Sequence, residues 1–154
     1  MSERQKMIYR LGQVYGYICS KHTEWSSMGH DTQAARQPLQ GVTVALFAAI
    51  HAGAVKADDE YIALRMDSVS ADIADIQCCT IDEQGVFALG KMQVNRTPKK
   101  MIGSADMTQQ ALADKMGVSR ETVSRWSSGA LPLSKTARFK IEEILLDHEL
   151  DEKA

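Results

Sequence analysis

Apolar residues recur along this chain at three- and four-residue steps, the spacing that places them on one face of a helix. Met7, Leu11, Val14, Tyr15 and Ile18 make one such stripe, with Arg4, Lys6, Arg10 and Lys21 outside it, and predict an amphipathic helix over residues 3–21. Gly12 and Gly16 lie four apart on that helix and leave room for a second helix to come close, at a cost of about 1 kcal/mol each against alanine. The polar run 22–31, HTEWSSMGHD, reads as a loop that Trp25 and Met28 pin to the surface. Residues 32–55 read as helical, with Pro38 either starting a new helix or kinking one. Within them Leu39 to Ile50 is apolar almost all round, which marks burial in a bundle or an oligomer interface. Val42-Thr43-Val44 leaves a strand open there, and the neighbouring alanines argue against it. Asp58 is placed to cap a short helix through Met66, and Ser70 to start another short turn through Ile76. A helix from Asp82 to about Met92, with Val86, Phe87 and Leu89 inward, closes an all-α bundle over residues 1–92.

The pattern changes after that bundle. Residues 93–106, QVNRTPKKMIGSAD, read as a linker, because Pro98 and Gly103 exclude one long helix. Thr97 to Ile102 has the makings of a short capped helix, proline being welcome at the first helical position. From Thr108 to Gly129 the spacing predicts two short helices around a tight turn. Thr108 is an N-cap, and Ala111, Leu112 and Met116 follow at helical steps. Gly117 supplies a left-handed stop, with Val118 folding back as its hydrophobic contact. Ser119 caps the second helix, with Thr122 where a reciprocal cap would want Glu or Gln, so the cap is simple. Val123 and Trp126 fall inward, and Arg120, Glu121, Ser124 and Arg125 fall outward. The spacing with Val123 assigns Trp126 to core packing rather than to stacking on a base. After Leu131-Pro132-Leu133, Ser134 caps a last helix to about Leu150, with Ala137, Ile141, Ile144, Leu145 and His148 as its inner stripe. The expected fold is therefore all-α: a bundle at 1–92, a linker at 93–106, and a helix-turn-helix domain at 107–154.

The stretch Thr108–Gly129 resembles the helix-turn-helix of the Cro/lambda-repressor (XRE-type) regulators of bacteria and phages. Gln109, the run from Ala113 to Ser119, and Val123 to Trp126 followed by Gly129 carry the likeness. It implies base contacts from Arg120, Glu121, Thr122, Ser124 and Arg125. It implies DNA-backbone contacts from Thr108, Gln109, Ser119 and Ser128, and from Lys135 at the start of the last helix, with Arg138 and Lys140 as further phosphate candidates. The chain departs from that family in having no full first helix before the motif. A second, fainter resemblance joins Tyr9-Arg10-Leu11-Gly12 and the run Asp82 to Gly90 to the small-subunit-like, C-terminal part of the large subunit of type I-C CRISPR surveillance complexes. Where that family continues with paired aromatics, this chain has Lys91-Met92-Gln93. The likeness implies a module that joins or imitates part of such a complex. The other reading of the same bundle is a dimerisation unit.

Charge sharpens the picture. The chain carries −2 overall, but residues 1–90 hold seven Lys/Arg against eleven Asp/Glu, net −4. Residues 91–140 hold ten against three, net +7, and residues 141–154 one against six, net −5. A basic block centred on the helix-turn-helix is the footprint of a phosphate-binding surface. The 154 residues, 44% hydrophobic and 25% charged, suit one good core or two small ones. No apolar run reaches the roughly 20 residues of a membrane span. The polar opening MSERQKMIYR has no signal-peptide core, and Cys19, Cys78 and Cys79 imply no disulfide framework, so the expected compartment is a reducing cytoplasm.

Catalytic chemistry is not signalled. His22, His30, His51 and His148 are scattered, and no nucleophile elbow, phosphate loop or paired carboxylates appear. Cys19 and His22 make at most half a metal site, and Asp58-Asp59-Glu60 reads as a helix start. No enzyme, cofactor or metal is expected. One such motif touches only a half-site, so the expected regulator is a two-fold dimer on an inverted repeat of double-stranded DNA, of repressor type. The alternative is a protein that binds a CRISPR complex and uses its helix-turn-helix to regulate its own gene.

Overall fold

The computed structural model describes residues 2–21, 59–69 and 80–153, with side chains through His148. The expected loop at 22–31, the apolar helix at 39–50 and the short turn from Ser70 lie outside the described residues. Among the described residues there are seven helices and no strand: α1 (Glu3–Ser20), α2 (Glu60–Val69), α3 (Ile81–Gln93), α4 (Pro98–Gly103), α5 (Gln109–Met116), α6 (Arg120–Ser128) and α7 (Lys135–Lys153). None of them is long and apolar enough to cross a membrane. The chain divides into two compact units, residues 2–95 and 96–154.

In the first unit α1 is held by a reciprocal cap. The Ser2 hydroxyl accepts from the Gln5 N–H at 3.1 Å, and Gln5 Oε1 accepts from the Ser2 N–H at 2.9 Å. Its buried face is Ile8, Leu11, Val14, Tyr15 and Ile18, while Met7 is only partly covered. Against this face lies α3, and the contact is made by glycine. A methyl group added to Gly12 would fall on the carbonyl oxygen of Phe87, one on Gly16 on that of Lys91, and one on Gly90 on that of Tyr9. The close approach expected from Gly12 and Gly16 is therefore real, and Gly90 answers them from α3. Beside the crossing, Tyr15 and Phe87 meet edge to face with ring centroids 5.1 Å apart. Gln13, fully buried on the same face, donates its amide to the side-chain carbonyl of Gln93.

Two sequence expectations change here. Leu89 does not point inward; it is 53% exposed, because α3 turns its Glu83–Phe87–Gly90 face to α1 and Leu89 lies on another side. The expected cap Asp58 lies outside the described residues, and α2 runs past Met66 to Val69 with Asp59 serving its first turn. Asp59 Oδ1 accepts the N–H groups of Tyr61 and Ile62 at 2.9 and 3.2 Å. Its other oxygen accepts the Tyr17 hydroxyl at 2.7 Å, so Asp59 also ties α2 to α1.

The second unit begins inside the stretch expected to be a linker. Thr97 caps α4 by accepting the Lys100 N–H at 3.2 Å, with Pro98 at its first position. Met101 and Ile102 are buried with Leu112, Ala113, Val123, Trp126 and Ile141 in one core. The segment 97–103 is thus a wall of this core rather than a tether. It covers the back of the helix-turn-helix where a longer first helix was missing from the sequence pattern. The Ser134 hydroxyl accepts the Ala137 N–H at 3.1 Å and starts α7, which supplies Ile141 and, partly buried, Ala137, Ile144 and Leu145. His148, further along α7, meets the Asp106 carbonyl through Nε2 at 2.6 Å and closes the loop before α5.

Candidate nucleic-acid interface

The site is built from caps upward. The Thr108 hydroxyl accepts the Ala111 N–H at 3.0 Å and starts α5. Gly117 stops it at φ 71°, ψ 30°, and the Val118 N–H turns back to the Ala113 carbonyl at 3.0 Å. An L-residue with a side chain resists that backbone conformation, which is why a glycine stands there. Two residues on, the Ser119 hydroxyl accepts the Thr122 N–H at 3.2 Å and starts α6. The hydroxyls of Ser119 and Thr122 also bond each other at 2.9 Å, so Thr122 strengthens this cap although it carries no carboxylate or amide. Gly129 ends α6 at φ 83°.

Burial then sorts the faces of α6. Val123 is fully buried and Trp126 is 7% exposed, whereas Arg120, Glu121, Ser124 and Arg125 are exposed. Trp126 is a core residue, and no indole face is offered for stacking. Glu121 and Arg125, one turn apart, are joined by a 2.7 Å ion pair. Arg120 makes no ion pair with any described residue. The outcome is a nine-residue rod with a polar face turned outward, narrow enough for a major groove.

The expected backbone-contact residues divide. Thr108 and Ser119 are exposed, but each hydroxyl already serves as a helix cap, so what they can offer a phosphate is the end of a helix. Gln109 is the first residue of α5 and half-buried. Ser128 is exposed and donates its hydroxyl to the Arg125 carbonyl at 3.2 Å. Lys135 is exposed on the first turn of α7. Arg138, a further phosphate candidate, is tied to its own unit by two partners. Its side chain is 19% exposed, and its guanidinium donates to the Arg96 carbonyl at 2.9 Å and lies 3.6 Å from the fully buried Glu142 carboxylate. The four-residue step from Arg138 to Glu142 is the sequence signal of that ion pair. Among the described residues no three of His, Cys, Asp and Glu gather as a metal site requires.

A family model described as helix-turn-helix matches residues 99–145, which span α4 to most of α7. No curated protein matches the chain, and no solved structure does.

Proposed function

From the helix-turn-helix of XRE type at residues 99–145, a DNA-binding regulator's motif, we propose that the chain is a sequence-specific dimeric repressor of phage or mobile-element type. It works in the cytoplasm on an inverted repeat of double-stranded DNA. The observation that carries this reading is the outward polar face of α6 over the buried Val123 and Trp126. Arg120, Glu121, Thr122, Ser124 and Arg125 then read base edges, arginine donating two bonds to guanine O6 and N7. Thr108, Gln109, Ser119, Ser128 and Lys135 set the register on the phosphates. A single motif spans one half-site, so two copies bind half-sites about 34 Å apart, one turn of the duplex. Selection of bound fragments from random DNA by the full chain tests this. A palindrome with a fixed spacing is the expected product, and recovery of fragments with no shared sequence overturns the reading.

A second reading has the first unit engage a type I-C CRISPR surveillance complex as an inhibitor or accessory module. What favours it is that the two segments resembling that family, Tyr9–Gly12 and Asp82–Gly90, meet at the Gly12–Gly90 crossing. Retention of the purified complex on the immobilised full chain supports it, and its absence leaves the regulator alone.

A further inference from the structure

The short helix α4 has two unlike faces. Met101 and Ile102 are buried in the core of the second unit. Lys99 and Lys100 are exposed and, with Arg96, Thr97, Gly103 and Ser104, line an open groove of about 670 Å³. Among the described residues no acidic residue lines it, and none of the three cations pairs with a carboxylate. The backbone that carries them is fixed. Arg138 donates to the Arg96 carbonyl at 2.9 Å, and the Ser104 hydroxyl donates to the Lys100 carbonyl at 2.6 Å. The core needs only Met101 and Ile102 from this helix. Three like charges held along one groove repel one another, and an anionic chain laid there relieves that repulsion.

The α4 helix packs directly on α6, so groove and recognition helix belong to one body. B-DNA carries one charge per roughly 1.7 Å of axis, so a helix seated in its major groove has phosphates on both sides. We infer that the Arg96–Lys99–Lys100 groove takes the sugar–phosphate backbone of the duplex whose bases α6 reads. It supplies a sequence-independent share of the affinity. This inference rests on the DNA-binding reading above and adds a phosphate track that the helix-turn-helix positions do not contain.

The test is the salt dependence of binding. The full chain, the triple variant Arg96→Ala, Lys99→Ala, Lys100→Ala and the charge-keeping pair Lys99→Arg, Lys100→Arg are titrated by fluorescence anisotropy. Each is measured over a range of salt on the selected site and on a random duplex of equal length. Every phosphate that a variant no longer neutralises lowers the slope of log K against log salt by roughly 0.9, so the triple variant is expected to fall short of the parent by up to about 2.7. Its affinity falls by the same factor on both duplexes, and the charge-keeping pair retains the parent slope. The pair Lys99→Ala, Lys100→Ala, both exposed, repeats the measurement if the triple variant proves unfolded by circular dichroism. An unchanged slope while the parent binds overturns this inference and leaves the regulator standing, as does a weakening confined to the selected site. A parent that binds neither duplex overturns both.

Discussion

The Arg125 guanidinium donates to Glu121 Oε1 at 2.7 Å across one turn of α6, and both side chains stay more than half exposed. An exposed pair of this kind stabilises folding by only about 0.3–0.5 kcal/mol, so its consequence lies elsewhere. Both residues stand on the face that would enter a major groove. The carboxylate restricts where the guanidinium can point, and a restricted arginine loses less freedom on meeting a guanine.

The first prediction concerns that pair. Arg125→Ala is expected to cost about 1–3 kcal/mol at one base position and to relax the choice of base there. Glu121→Ala is expected to relax the same position, because it frees the arginine, with the thermal midpoint nearly unmoved. A double-mutant cycle on the selected site and its single-base variants measures the coupling. Additive effects at two different base positions would show that the two residues read DNA independently.

The second unit was legible in the sequence because its devices are local. Thr108, Gly117, Ser119 and Gly129 act within four residues of themselves, and their spacing alone sets both helices and the turn. What was not legible depends on distant partners. The bond from Arg138 to the Arg96 carbonyl joins residues 42 apart, which no local spacing announces. The stretch 93–106 looked like a linker because a six-residue helix has too little periodicity to announce two buried residues. Apolarity alone puts Leu89 inside, whereas glycine, not leucine, makes the close contact between α1 and α3.

That contact yields a paired prediction. At Gly12 and Gly90 the obstruction to a methyl group is backbone, which cannot swing aside, so α1 and α3 must separate. Overpacking of a core costs about 1–3 kcal/mol, and Gly12→Ala or Gly90→Ala is expected at or above the top of that range. At Gly85, on the same helix α3, nothing lies within 4 Å of an added methyl. Gly85→Ala is therefore expected to stabilise by roughly 0.5–1 kcal/mol through the lower chain entropy of alanine. Urea unfolding followed by circular dichroism separates the opposite signs. Equal effects at Gly85 and Gly12 would mean that the helices do not cross through glycine.

At the turn of the motif the issue is backbone angle rather than space. Gly117 sits at φ 71° with nothing within 4 Å of an added methyl, so Gly117→Ala meets only the left-handed penalty of about 1–2 kcal/mol. Gly117→Asn is expected to cost less, because asparagine tolerates that conformation. Both variants should keep the base preference of the parent if they fold, since the residue carries no contact of its own. The midpoints of thermal unfolding should fall in the order glycine, asparagine, alanine.

Acid stability turns on Glu83, the third residue of α3. Its carboxylate accepts the Thr80 N–H at 3.1 Å and the Arg4 Nε–H at 2.5 Å, and its side chain is only 12% exposed. The hydrogen bond from the Thr80 backbone, then that from Arg4, holds its pKa below the usual carboxylate value. In the unfolded chain the same group takes up its proton at higher pH. Its contribution to stability is therefore complete above the ordinary carboxylate range and is lost as pH falls through the lowered folded value. Glu83→Gln keeps an acceptor for the Thr80 N–H but removes the charge, so the acid limb of stability is expected to flatten. Arg4→Gln removes only the second cause and should flatten it less. Urea midpoints taken from neutral pH down through the carboxylate range check this, and an acid limb as steep in Glu83→Gln as in the parent would place the titrating group elsewhere.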